Sequence, residues 1–190
     1  MLIAGVDEAG RGALAGPVVA AAVIFSKDQD ASLYRDSKKL TPNQRESIID
    51  HILQNSLAVG IGCVDHKFID RFNVLQATFL AMYRAYLKLS FQVDKILVDG
   101  NRRNPLFAIE QETIIKGDDK IPEISAASIV AKVVRDRIMR GYAKVYPEYL
   151  FEQNKGYGTE LHMKRIDEFG YCSIHRRSFN ISKQLELDKG

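Results

Sequence analysis

The chain has 190 residues, 27 Lys and Arg against 24 Asp and Glu, and a formal net charge of +3. That length suits one domain with a good core, or one domain and a small appendage. A hydrophobic content of 46% and a charged content of 27% exclude a disordered or fibrous chain, and no internal repeat is visible. Two cysteines, Cys63 and Cys172, stand far apart without a CxxC pair. This excludes a zinc knuckle and predicts two buried, reduced thiols. The N-terminus has no basic region and reaches Asp7 too soon for a signal peptide, and no apolar run has transmembrane length. The expectation is a cytoplasmic protein with no membrane partner.

In chain order, Leu2–Val6 reads as a buried strand ending at Asp7, followed by the glycine-rich Glu8-Ala9-Gly10-Arg11-Gly12. Pro17–Phe25 is a continuous apolar run and a second strand, about ten residues on, as in a wide hairpin. Thr41-Pro42 with Gln44 predicts a capped helix whose apolar stripe is Ile48, Ile49, Ile52 and Leu53. Leu57–Val64 follows as a strand. Leu75, Phe79, Met82, Tyr86 and Leu89 repeat at helical spacing. Lys95–Val98 is a strand ending at Asp99-Gly100, and Ile114-Ile115 is a short strand candidate. Ile124, Ala127, Ala131, Val134 and Ile138 mark a long helix, and a further helix lies near Thr159–Phe169. This order predicts an α/β domain with a mixed sheet over residues 1–142 and a small helical C-terminal lobe over 143–190.

Asp7-Glu8, Asp99 and Asp118 are acids placed where strands end or helices begin. Several carboxylates converging there raise one another's pKa, a conflict that a divalent cation relieves. Spacing alone leaves two roles open, metal ligation or the capping and turn roles common for such acids. Gly10-Arg11-Gly12 allows close backbone approach to a ligand, and Arg11 is long enough to meet a phosphate; a tight turn is the plainer alternative. No GxxxxGK[ST] string occurs, which excludes a Walker-type nucleotide site.

The string Gly5-Val6-Asp7-Glu8-Ala9-Gly10-Arg11-Gly12, continued by Ala15-Gly16-Pro17, resembles bacterial ribonuclease HII of the type 2 ribonuclease H family. So do Asp36-Ser37-Lys38-Lys39-Leu40, Val98-Asp99-Gly100-Asn101, Lys116-Gly117-Asp118, Ser125–Val133, Lys155-Gly156-Tyr157-Gly158 and Ile174–Phe179, all in family order. The resemblance implies a ribonuclease H-like mixed sheet flanked by helices. It implies Asp7, Glu8, Asp99 and Asp118 as metal-binding and catalytic acids for Mg²⁺ or Mn²⁺. It implies Gly10, Arg11 and Gly12 as the loop that reads a ribose 2′-OH, and Tyr157 as the ring that packs on the neighbouring deoxyribose. Lys38, Lys39, Lys155, Arg176 and Arg177 are assigned to phosphates by resemblance and charge.

The implied activity is endonucleolytic cleavage of RNA–DNA hybrids, and of duplex DNA 5′ to embedded ribonucleotides, by a monomer. Ser125 and Ser128 are read as helix-start and packing residues. Asp136 is read as paired with Arg135 or Arg140, and His162 and His175 as packing or phosphate contacts. Ala13 and Asn154 depart from the family's usual proline and histidine. Three rivals stand beside this reading. A type HIII ribonuclease carries an extra N-terminal domain, for which a string beginning at residue 5 leaves no room. A non-catalytic hybrid-binding module would lose some of the acids. A resolvase-like nuclease would need neither the loop nor Tyr157.

Overall fold

The computed structural model describes residues 1–26, 34 and 41–179; Lys38 and Lys39 lie outside the described residues. Five strands form one mixed sheet: β1 (Ile3–Ala9), β2 (Val18–Ile24), β3 (Ala58–Val64), β4 (Lys95–Asp99) and β5 (Glu110–Ile114), in the order β3-β2-β1-β4-β5. β1 and β2 pair antiparallel as the predicted hairpin, β3 continues that half, and β4 and β5 extend it in parallel from β1. β2, VVAAAVI, is buried throughout, as expected of an inner strand covered on both faces.

Alternate side chains of the strands face two different helical layers. Ala4, Val6, Val18, Ala20, Ala22 and Ile24 pack against α2 (His66–Leu87). Ala9, Ala21 and Val23 pack against α1 (Pro42–Asn55) and α3 (Pro122–Val145). α1 starts with the predicted capping box, the Gln44 amide donating to Thr41 Oγ1 at 3.3 Å and the Thr41 amide to Gln44 Oε1 at 2.8 Å. α2 is interrupted at Asn73, whose φ is 69° and whose Oδ1 accepts from the Leu75 and Gln76 amides at 3.0 and 3.1 Å. The apolar period that begins at Leu75 therefore belongs to the second of two helices, with Asn73 as its cap.

A third cluster holds the C-terminal lobe, which contains α4 (Phe151–Asn154) and α5 (Glu160–Phe169). Here Tyr149, Phe151, Met163, Ile166 and Ile174 pack on Leu14 and Ala15 of the β1–β2 connection and on Met139 of α3. The residue-142 boundary falls inside α3.

Three expectations are corrected. β1 does not stop at Val6 but runs to Ala9, because β2 pairs with it as far as Ala9↔Val19. β5 starts four residues earlier than expected, ends at Ile114 and is mostly polar, Glu-Gln-Glu-Thr-Ile. An edge strand has only one partner and needs little apolar surface; Lys95 of β4 pairs with Glu110 and Glu112 across it at 3.3 and 2.7 Å. Cys63 is exposed, since it alternates outward on β3, and Cys172 is half-buried; both are free. Among the described residues no helix is long and apolar enough to cross a membrane.

β3 carries Gly60 and Gly62 where α2 crosses it. A Cβ on Gly62 would lie 2.0 Å from the Ala81 carbonyl oxygen, and one on Gly60 would lie 2.0 Å from that of Ala85. Backbone atoms in a helix have little room to retreat. Gly62→Ala is expected to destabilise the fold by about 2 kcal/mol through overpacking, read as a lower midpoint in urea.

Candidate active site

The parallel pairing of β1 with β4 aligns Val6 with Val98, so Asp7 and Asp99 are neighbours at the carboxyl ends of the two strands. Such strand ends, where a sheet changes direction of connection, are open to ligands. Because β1 continues through residues 7 and 8, the two acids leave the strand on opposite faces. Asp7 is buried on the α3 side, where it accepts from the Ser128 hydroxyl and, at 2.7 Å, from the Glu8 amide. Glu8 lies on the α2 side in a cleft lined by Leu75, Thr78, Phe79, Asp99, Gly100, Asn101 and Arg102, and accepts from Arg11 Nη1 at 3.2 Å.

The electrostatics of this corner are unfavourable without a cation. Burial, then the charges of Glu8 and Asp99, push the Asp7 carboxyl well above the usual range. Burial also raises Glu8; Arg11 opposes that rise and Asp99 adds to it. Asp99 Oδ1 accepts from the Gly117 amide at 2.7 Å. Gly117 opens a one-turn 3₁₀ segment, Gly117–Asp119, in which Asp118 is buried, and Lys116 before it turns the chain with a left-handed φ of 54°. The Lys116–Gly117 peptide, one residue before Asp118, is thereby tied to the Asp99 carboxylate. Asp7, Glu8 and Asp99 form one interacting group, and the backbone of Gly117, the residue before Asp118, bonds to Asp99. Among the described residues no three or more Asp, Glu, His or Cys side chains are gathered closely enough to hold a metal ion as they stand. The donors are all carboxylate oxygens, the chemistry that suits Mg²⁺ or Mn²⁺, which keep part of their water shell.

Two arginines hold the loop beside the acids. Arg176, 1% exposed, donates from Nε to Gly16 O at 3.0 Å, from Nη1 to Arg11 O at 2.8 Å, and from Nη2 to Gly10 O and Gly16 O at 2.7 and 2.9 Å. Arg135, 0% exposed, donates to Pro17 O, Lys155 O and Ala15 O at 3.0, 2.9 and 3.0 Å. Burial and the nearby Arg135 charge lower the Arg176 guanidinium to about 9, so it still carries its proton at neutral pH. Each guanidinium also faces a ring, Arg135 over Tyr157 at 5.0 Å and Arg176 over Phe179 at 5.1 Å. Gly10, with φ of 95°, admits Arg135 because a Cβ there would lie 2.0 Å from its Nε.

Arg176 is therefore corrected from a phosphate contact to a structural clamp, because its N–H groups are turned inward onto carbonyls. Arg11 and Gly12 are exposed beside the acids. Tyr157 is half-buried between Arg135 and Lys132, whose Nζ lies 5.6 Å from the ring centroid. The Lys155 ammonium donates to the Glu152 carbonyl. Arg177 is exposed, with its amide held by Asp70 at 3.1 Å. Asp136 pairs with Lys132 at 2.6 Å, one turn away, rather than with either arginine; Arg140 instead meets Glu46. Ser128 serves Asp7, and Ser125 donates to the Tyr34 carbonyl. Asn154 shapes the turn before Tyr157, donating to Tyr149 O and accepting from the Gly156 amide, both at 2.7 Å.

Sequence reasoning missed Arg135 as a site-building residue. The signal was present: Arg135 lies four residues from Ala131 and four from Met139, on the buried stripe of α3. An arginine on an apolar stripe needs fixed acceptors. Arg176→Lys keeps the charge but gathers the donors on one nitrogen, which cannot span carbonyls that Arg176 meets from three separate nitrogens. It is expected to cost about 3 kcal/mol in denaturant unfolding, and to speed hydrogen exchange at the Leu14 and Gly16 amides.

Comparison with known proteins agrees with this architecture. The family model for Ribonuclease HII matches residues 4–182. The ribonuclease HII of Endomicrobium trichonymphae is 51% identical over 178 residues, covering 94% of this chain and 85% of that protein. The ribonuclease HII of Coxiella burnetii is 49% identical over 187 residues, covering 98% and 92%. The ribonuclease H2 of Pyrococcus horikoshii superposes with a TM-score of 0.80 at 28% identity, covering 99% of this chain and 98% of that one. With nearly the whole length shared at about half identity, the chain belongs to the ribonuclease HII family and is an endoribonuclease that acts on RNA paired with DNA.

Proposed function

We propose that the chain cuts the phosphodiester on the 5′ side of a ribonucleotide, in continuous RNA–DNA hybrids and where single ribonucleotides are embedded in duplex DNA. The observation that carries this is the buried Asp7 carboxylate set against Glu8 and Asp99, beside the exposed Arg11-Gly12 loop. Asp7, Glu8, Asp99 and Asp118 would hold Mg²⁺ or Mn²⁺. Divalent cations bound there would supply activation of a water and charge stabilisation for phosphodiester hydrolysis, with 3′-hydroxyl and 5′-phosphate ends as the products.

The chain's own residues perform the recognition. The loop Gly10–Gly12 presents backbone groups to the 2′-OH, the one group that separates RNA from DNA at a single nucleotide. Its carbonyls at Gly10 and Arg11 are occupied by Arg176, which fixes the loop's shape. Tyr157, from the C-terminal lobe, packs on the adjoining deoxyribose, where a second 2′-OH would clash. Arg11, Lys38, Lys39, Lys155 and Arg177 attract the phosphates. Glu8 and Arg11 pair in the free protein, so a phosphate that engages Arg11 leaves Glu8 with more negative character for a cation.

The test is a duplex bearing one ribonucleotide, compared with a continuous hybrid and an all-DNA control, in Mg²⁺ and in Mn²⁺. Cleavage 5′ to the ribonucleotide, with the DNA control intact, is expected. Asp99→Asn is expected to lose about 10²–10³-fold in rate while keeping its circular dichroism spectrum. Wild-type cleavage by that variant would overturn the assignment. In a thermal melt, Mg²⁺ is expected to raise the wild-type Tm relative to EDTA. Asp7→Asn, which removes a buried like charge, is expected to melt higher than wild type in EDTA and to gain little from Mg²⁺.

A further inference from the structure

His162 and His175 are 0% and 1% exposed in the C-terminal lobe, remote from the acids in sequence. Their contacts allow one arrangement of protons. His162 Nδ1 lies 2.8 Å from the Tyr157 carbonyl oxygen, which only accepts, so Nδ1 carries the hydrogen. A neutral ring then has a bare Nε2. That atom lies 3.1 Å from His175 Nε2, which must donate. His175 Nδ1 is left bare, and it meets the Cys172 amide at 3.0 Å and Cys172 Sγ at 3.1 Å, both donors. A donor-only group at one end and an acceptor-only group at the other thus agree on a single direction: Cys172 N–H to His175, to His162, to Tyr157 C=O.

The same segment is joined to the recognition loop. Gly156 O accepts from the Leu14 and Ala15 amides at 2.7 and 3.2 Å, and residue 175 bridges antiparallel to Ala15. His175 turns its ring to His162, while the next residue, Arg176, turns its guanidinium to Gly10 and Arg11. We propose that His162 and His175 are positioning residues for Tyr157. Their one-way relay fixes the Tyr157 peptide against the Gly10–Gly12 loop, and so sets how sharply the enzyme separates a ribonucleotide flanked by DNA from continuous RNA. This rests on the reading of Tyr157 as a sugar contact.

A proton on either ring places two donors face to face. Burial holds His162 below its ordinary value; burial, then the His162 ring, lowers His175 from 6.5 to about 4. The surrounding charged groups reinforce this: Arg177 and His66 disfavour a cation on His175, while Glu148 faces Cys172. Tyr149, Phe151 and Tyr171 present rings to His175. The folded values lie below the unfolded one. The relay's contribution to stability is therefore complete above about pH 6.5 and lost as pH falls towards 4.

The experiment compares cleavage of the single-ribonucleotide duplex with that of the continuous hybrid, expressed as a ratio of rates. His162→Leu is expected to lower this ratio about tenfold, and His162→Asn, which restores a donor near Nδ1, to recover most of it. Tyr157→Ala is run alongside. An unchanged ratio there overturns the sugar-contact reading. A lowered ratio there with an unchanged one in folded His162→Leu overturns the positioning role alone. Nitrogen NMR of the wild-type rings gives a readout independent of any variant: at pH 7 both neutral, His162 protonated at Nδ1 and His175 at Nε2. The opposite tautomers, or a charged ring at that pH, would overturn the relay.

Discussion

Arg135 and Arg176 are cations taken out of water and partnered with backbone carbonyls. Those carbonyls come from Gly10, Arg11, Ala15, Gly16, Pro17 and Lys155, the connection between the first two strands and the turn before Tyr157. A guanidinium has a rigid planar fork of donors, so its acceptors must stand in fixed positions. Two such forks, one from α3 and one from the chain after α5, turn an irregular glycine-rich segment into a shaped surface. Loops normally leave their polar groups to solvent. This one is held from below, with Arg11 and Gly12 exposed on its outer side.

The acidic corner has the opposite character. Its charges are alike, partly buried and mutually raising. The fold tolerates this because β1 is paired on both sides and cannot move its acids apart. Strain of this kind, supported by a rigid sheet, prepares a site for positive charge. Asp7 and Glu8 divide between the two faces of one strand. The helix that buries Asp7 and the helix that lines the Glu8 cleft therefore both contribute to one site.

The C-terminal lobe completes the arrangement by packing onto the β1–β2 connection as well as onto α3. Its apolar cluster supplies most of the attachment, since burial of such side chains is worth a few kcal/mol each. Its polar contacts supply direction. The Ala15–His175 bridge, the Gly156 carbonyl and the histidine pair register the turn at residues 154–157 on the loop. The proposed roles of the loop and of Tyr157 would work together only if their spacing is constant, and the contacts of this lobe hold that spacing.

Much of this was legible in the chain itself. A continuous apolar run marked β2, alternation marked β3, and period-3.6 patterns marked α2 and α3. The Thr41–Gln44 box marked the start of α1, and the four acids and the Gly-Arg-Gly string stood out by kind and spacing. These are local signals, decided by neighbours within a few residues. Tertiary pairing decided the rest. β1 runs past Asp7 because β2 lies beside it, which alone determines that Asp7 and Glu8 face different helices. β5 is a strand only because β4 offers it an edge. Arg176 reads as a surface cation until the chain brings it back to Gly10, 166 residues away, where carbonyls rather than phosphates meet it. Sequence determines which groups are available within a turn or a strand; folding decides which distant groups become partners, because a buried donor takes its acceptors from whatever backbone closes over it.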